Sequence, residues 1–132
     1  MQGPIFLSLM QVLRMHASQL DKFGGSAGVR DLTLIESAIS QPQQSFGGVF
    51  VHADLPDMAA AYLFHLAKNH GFVDGNKRIA AAAALTFLEF SGVDTNFFDD
   101  EKMESLVWSI AEGTADKAAA AAFFRAQIGL KD

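Results

Sequence analysis

From Ile79 to Phe90 the chain reads Ile-Ala-Ala-Ala-Ala-Ala-Leu-Thr-Phe-Leu-Glu-Phe, a run that is apolar on nearly every side of a helix. A helix without a polar stripe must be buried, and five successive alanines let its neighbours pack close. The rest of the chain is therefore expected to wrap around this one rod. Gly92 ends it, and Gly75 stands before it, so Asn76, Lys77 and Arg78 fall in its first turn.

Helix signals dominate the remainder. Ser8 and Gln11 have capping-box spacing, and Leu9, Val12, Leu13, His16 and Leu20 keep one apolar face until Gly24 and Gly25. Asp31 caps a second helix that buries Leu34, Ile35, Ala38 and Ile39 and ends before Pro42. Pro56 opens a third, with Ala60, Leu63, Phe64 and Ala67 inward, ending near Asn69. Asp99 or Asp100 caps a fifth helix closed by Gly113, and Thr114 opens an alanine-rich last one through Ile128. Only Gln43 to Asp54 lacks helical period; Phe46, Gly47, Gly48, Val49 and Phe50 there suggest a short hairpin or flap. The expected fold is all-α, a compact helical bundle around a buried central helix with a short β-hairpin flap, in a single domain over residues 1–132.

Composition narrows the function. The formal charge of −5 argues against sequence-independent nucleic-acid binding, which Lys and Arg must drive. The chain has no cysteine, which removes disulfides and thiolate metal sites. No apolar run reaches membrane-span length and no basic leader precedes one, so the expectation is a soluble, cytoplasmic protein.

The few cations gather at one place. His70-Gly-Phe-Val-Asp-Gly-Asn-Lys-Arg78 holds a base, a carboxylate, a glycine turn and two cations in nine residues. A helix start carries unpaired N–H groups and partial positive charge, an anion site in itself. Lys77 and Arg78 have the wrong sign for stabilising a bare helix start, so their presence points to a polyanion, with a di- or triphosphate the natural candidate. Asp74 can hold Mg²⁺ against phosphate oxygens, and His70 is the nearby group whose ordinary pKa suits proton transfer. Phe72 is read as an apolar anchor for the loop. His16 is assigned to the core or an interface, His65 to packing, His52 to a turn that merely covers the core, and Trp108 to the core or a partner-facing surface.

Seven of these nine positions match His-x-Phe-x-Asp-Gly-Asn-Lys-Arg, and the stretch resembles the signature of the Fic/Doc family. Lysine after the asparagine resembles the Doc, or death-on-curing, branch; Gly28-Val-Arg-Asp31 and Glu36-Ser37-Ala38 are weaker likenesses of the same kind. The resemblance implies His70 as base toward a target hydroxyl, Asp74 as Mg²⁺ ligand, Gly75 and Asn76 as anion cradle, and Lys77 and Arg78 as phosphate clamps. It also implies that the flap, Phe46 to Phe50, pairs with the target segment. AMP-transferring members carry a second arginine three residues beyond the first; here that place is Ala81. The expectation is a Doc-like toxin of a toxin-antitoxin module that moves the γ-phosphate of ATP, with Mg²⁺, to a Ser or Thr hydroxyl. A threonine of translation elongation factor Tu is the expected target. An AMP-transferase and a non-catalytic binding module are the alternatives. Ser109-Ile-Ala-Glu112 is one residue short of the Ser/Thr-x-x-x-Glu self-restraint motif, so a separate Phd-like antitoxin is expected, without direct nucleic-acid or membrane contact.

Overall fold

The computed structural model describes residues 3–129. Helices α1 (Leu9–Phe23) and α2 (Leu32–Ser40) come first, then strands β1 (Ser45–Phe46) and β2 (Val49–Phe50). Helices α3 (Leu55–Asn69), α4 (Asn76–Phe90), α5 (Asp100–Glu112) and α6 (Lys117–Ile128) follow. The expected helical bundle with a small hairpin is what the chain forms.

The caps explain where the helices begin. Ser8 and Gln11 exchange side-chain bonds with each other's backbone N–H at the start of α1. Asp31, Asp54, Asp99 and Asp116 each accept from an N–H in the first turn of the helix they open. The last helix starts at Lys117 rather than at Thr114. Gly113 turns left-handed at φ 86°, and the N–H groups of Thr114 and Ala115 return to the Ser109 carbonyl, which uses those residues to close α5.

Two helices share the centre. Helix α3 packs against α2, α4, α5 and α6, and its Ala59, Ala60, Ala61, Tyr62 and Leu63 have no exposed surface. Helix α4 buries Ile79, Ala80, Ala83, Ala84, Phe87 and Leu88, but Ala81 and Leu85 open onto a cleft. The alanine-rich rod is thus central without being enclosed on every side. Its flat alanine flank, where a larger residue would fill the space, forms part of the cleft floor.

The N-terminal segment is stitched over this pair. The Leu7 N–H donates to the Tyr62 hydroxyl at 2.8 Å and the Ile5 N–H to Ser91 Oγ at 2.9 Å. Phe6 stacks on Phe87 and meets the edge of Phe50, which ties the base of the hairpin to the core. Gly47 and Gly48 both have positive φ, as a two-residue turn between right-twisted strands requires, and Phe46 pairs with Val49 across it.

Candidate active site

The site begins where α3 stops. His70 takes the left-handed conformation at φ 52°, ψ 47°, the only positive-φ residue other than glycine among those described. A network from the α1–α2 connection holds it there. The Arg30 Nε–H donates to the His70 carbonyl at 2.7 Å, and its Nη2 donates to the Asn69 carbonyl at 3.2 Å. A guanidinium at the negative end of a helix answers both the unpaired carbonyls and the dipole. The N–H groups of Arg30 and Asp31 both reach the Gly71 carbonyl, the Val73 N–H reaches the Gly28 carbonyl, and Val29 bridges Phe72. Residues 28–31 therefore clamp the loop 70–73 as a short strand would.

Gly71 makes that clamp possible. A Cβ there would collide with Ile35 and crowd the Asp31 carbonyl. The motif His-x-Phe leaves this position open, and the packing shows why glycine stands here.

Three bonds then set the loop's inner face. The Phe72 N–H donates to Asn76 Oδ1, and Asn76 Nδ2 donates back to the Phe72 carbonyl, each at 3.0 Å. Phe72 is buried and lies flat on His16, with ring centroids 3.7 Å apart. His16 Nε2 donates to the Asp74 carbonyl at 2.7 Å. The core histidine of the sequence reading is thus also a strut beneath the site. Asn76's side chain is committed to the loop, which leaves its backbone N–H for the anion cradle expected at Gly75 and Asn76.

Asp74 faces outward with its charge secured. Oδ2 accepts from the Ser26 N–H at 3.1 Å and Oδ1 from the Gly75 N–H at 2.8 Å. These two bonds, the first the larger, hold its carboxyl below the usual carboxylate range, aided by Arg78 and Lys77. The Ser26 contact needs Gly25, where a Cβ would lie 2.9 Å from Asp74 Oδ2.

At the start of α4, Gly75 is the N-cap in a left-handed conformation and no side chain caps the helix. The N–H groups of Asn76, Lys77 and Arg78 lack intrahelical acceptors, and the first return bond is Ile79 to Gly75. Lys77 Nζ rests 4.2 Å from the ring centre of Trp108 on α5. Arg78 lies over Phe23 and bonds the Gly24 carbonyl at 3.4 Å. Between α1, α4 and α5 lies a cleft of about 750 Å³ that Asp74, Gly75, Asn76, Lys77 and Arg78 all line. Among the remaining lining residues are Asp100, Glu104 and Trp108, which carried no assignment to the site from sequence.

His70 and the hairpin are not part of the cleft lining. The imidazole Nδ1 lies 3.0 Å from the Ala67 carbonyl, which can only accept, so Nδ1 is the donor there and Nε2 is the ring nitrogen free of that bond. His70 is exposed. The flap is exposed as well, Phe46 by 86% and Val49 by 69%.

No group of three or more His, Asp or Glu side chains that could hold a metal exists among the described residues. The single Asp74 carboxylate beside the uncapped start of α4 would fit a cation whose other ligands came from a phosphate group, as is usual for Mg²⁺.

The site joins a histidine at one helix end to an uncapped, doubly cationic start on the next, a combination whose chemistry suits an anion. Residues 6–88 match the model of the Fic/DOC family, and the chain belongs to that family. It is 45% identical over 95 residues to the protein named Toxin Doc of Mycolicibacterium smegmatis, a match covering 71% of this chain and 73% of that protein. It is 31% identical over 107 residues to the protein named Protein kinase doc of Escherichia phage P1, covering 81% and 82% respectively.

Proposed function

We propose that this chain is a Doc-type toxin that transfers the γ-phosphate of ATP to a Ser or Thr hydroxyl of a protein, with a threonine of elongation factor Tu as the substrate. The observation that carries the reading is the open start of α4, with three unpaired N–H groups, Lys77 and Arg78 beside it, and Ala81 where a second cation would be needed to draw terminal phosphates away. The relative whose name records a protein kinase supports the same choice.

In this reading the triphosphate lies along the first turn of α4 with its terminal group toward His70. His70 Nε2 takes the proton of the target hydroxyl, the hydroxyl oxygen bonds to the γ-phosphorus, and the bond from that phosphorus to the β-phosphate oxygen breaks to release ADP. The proton then leaves His70 for solvent. Mg²⁺, held by Asp74, would offset charge on the phosphates when bound. The backbone N–H groups, Lys77 and Arg78 position the nucleotide and stabilise its charge, while the hairpin edge pairs with the target's backbone. Restraint comes from a separate Phd-like antitoxin, and the protein acts in the cytoplasm, where translation factors are found.

The test is incubation of the purified protein with Mg-ATP and elongation factor Tu, read by intact mass. Addition of one phosphate, absent with His70→Ala, is the expected result. Addition of an adenylate would replace the kinase with the AMP-transferase. No addition to any cytoplasmic protein, with growth arrest retained by His70→Ala, would leave a binding module.

A further inference from the structure

Away from the cleft, the structure gathers three side-chain nitrogens at one point behind the hairpin. His52 comes from the segment that follows β2, His65 from α3, and Lys117 from the first turn of α6. Lys117 Nζ lies 3.2 Å from His52 Nε2 and 3.3 Å from His65 Nε2. An ammonium can only donate, so each Nε2 is the acceptor there and turns its lone pair on the same position. His52 is 8% exposed, and His65 and Lys117 are half-buried.

Stability does not explain this grouping. Among the described residues no carboxylate pairs with Lys117: Asp116 accepts from the Ala119 N–H, and Asp54 and Asp57 are taken by Arg125. A lysine in the first turn of a helix also faces the positive end of the dipole. Two partly desolvated imidazoles and an ammonium therefore cost free energy that three apolar side chains in the same place would not. Three elements far apart in the chain nevertheless bring their nitrogens together, and two neutral imidazoles aimed at one point are what a cation with a preference for nitrogen requires.

We propose that His52 and His65 form a site for a transition-metal ion of the Zn²⁺ class, which binds both Nε2 atoms once the Lys117 side chain swings out to solvent. A pair of nitrogen donors selects against Mg²⁺, which prefers oxygen, so this site and the Asp74 carboxylate take different ions. Two imidazoles fall short of the closed set of four ligands, so water completes the coordination, and the affinity is micromolar rather than that of a full structural zinc site. The bound ion would link the chain just beyond β2 to α3 and leave α6 fastened through Arg125, which steadies the base of the hairpin. This site does not depend on the nucleotide reading, since none of its residues lines the cleft.

The test uses the untagged full-length protein, stripped of metal and held in excess Mg²⁺ at neutral pH, titrated calorimetrically with ZnCl₂. Binding of one ion per chain in the micromolar range is expected, with a rise in melting temperature on saturation. His65→Gln and His52→Gln should each weaken binding about tenfold or more. Lys117→Met removes the competing ammonium and should tighten binding several-fold, while His70→Ala should leave it unchanged. Melts without zinc establish which variants are folded; if His52→Gln is not, His65→Gln and Lys117→Met decide. Absence of binding by the parent overturns the site, as does full affinity in His65→Gln. Weaker binding by Lys117→Met also overturns it, because the ammonium would then be no competitor. Loss of binding in His70→Ala would overturn it as well, by assigning the ion to the candidate active site.

Discussion

At the residue scale, the candidate base and its support can be separated by substitution. His70 is exposed and its Nδ1 bonds only the last turn of its own helix, so His70→Ala should leave the melting temperature nearly unchanged while lowering phosphate transfer about 10²- to 10⁴-fold. Circular dichroism melts and intact-mass assays on one preparation check both halves. Gly71→Ala should lower stability as well as transfer. Its Cβ enters the space of Ile35, and relief of that overlap costs about 1–3 kcal/mol, measurable as a lower urea midpoint, with transfer lost because the clamp on the loop is displaced. The sequence motif exposed His70, Asp74, Lys77 and Arg78 because charge and glycine turn chemistry are local. It could not expose Arg30, Ser26 or the bond from His16 to Asp74, since each reaches across about 40 or more residues of chain. His16 shows the limit well: helical period revealed that it is buried, but not that a ring nitrogen holds a carbonyl of the site loop.

At the element scale, the two ends that meet at the loop 70–75 are opposite in polarity. Helix α3 brings its carbonyl end, answered by Arg30, and α4 brings its N–H end, answered by no side chain. One end is satisfied within the protein, and the other is free to meet the anion of the proposed reading. The hairpin is a different kind of element, with little buried surface of its own and Phe46 turned outward. Phe46→Ala should therefore change stability by less than about 0.5 kcal/mol, yet raise the KM for a protein target while leaving ATP hydrolysis in its absence unaltered. Steady-state assays at varied target concentration distinguish these effects. Element positions were readable because caps and periods are short-range signals; Ser8, Asp31 and Gly113 all act as their residue types suggest. The start of α6 was misread because the carbonyl of Ser109 claims Thr114 and Ala115, a turn geometry that composition does not encode. The cleft on the flank of α4 was likewise invisible, since an alanine run looks equally apolar whether a neighbour covers it or not.

At the scale of the whole molecule, α6 is fastened to α3 and to the segment after the hairpin by polar contacts. Arg125 Nη2 pairs with Asp54 at 2.9 Å and Asp57 at 3.1 Å, and Lys117 Nζ lies 3.2 Å from His52 Nε2 and 3.3 Å from His65 Nε2. Burial, then the charge of Lys117 and the neighbouring His52, push His65 down to about 4; burial and Lys117 also lower His52, against a smaller opposing pull from Asp57. A histidine whose folded pKa is depressed binds its proton more readily in the unfolded chain, so stability is full above about pH 6.5 and declines as pH falls toward 4. With partial exposure discounted, the loss from His65 is on the order of 1–2 kcal/mol. Thermal melts across that window should show it, and His65→Gln should flatten the slope; an unchanged slope would remove the cluster as its cause. Sequence spacing suggested that His65 packs rather than binds metal, and it does pack, but against a lysine from the far end of the chain.

The buried alanines of α3 and α4, two helices packed on each other, carry one more consequence. Ala60, Ala67, Ala80, Ala83 and Ala84 have no exposed surface, and apart from glycine every substitution there adds bulk. Such bulk would strain the packing around these helices, and a rod pivoting at Ala84 moves its tip at Asn76 from about 12 Å away. Inheritance can therefore shift the start of α4 from deep inside the protein, by a single added methyl far along the same helix.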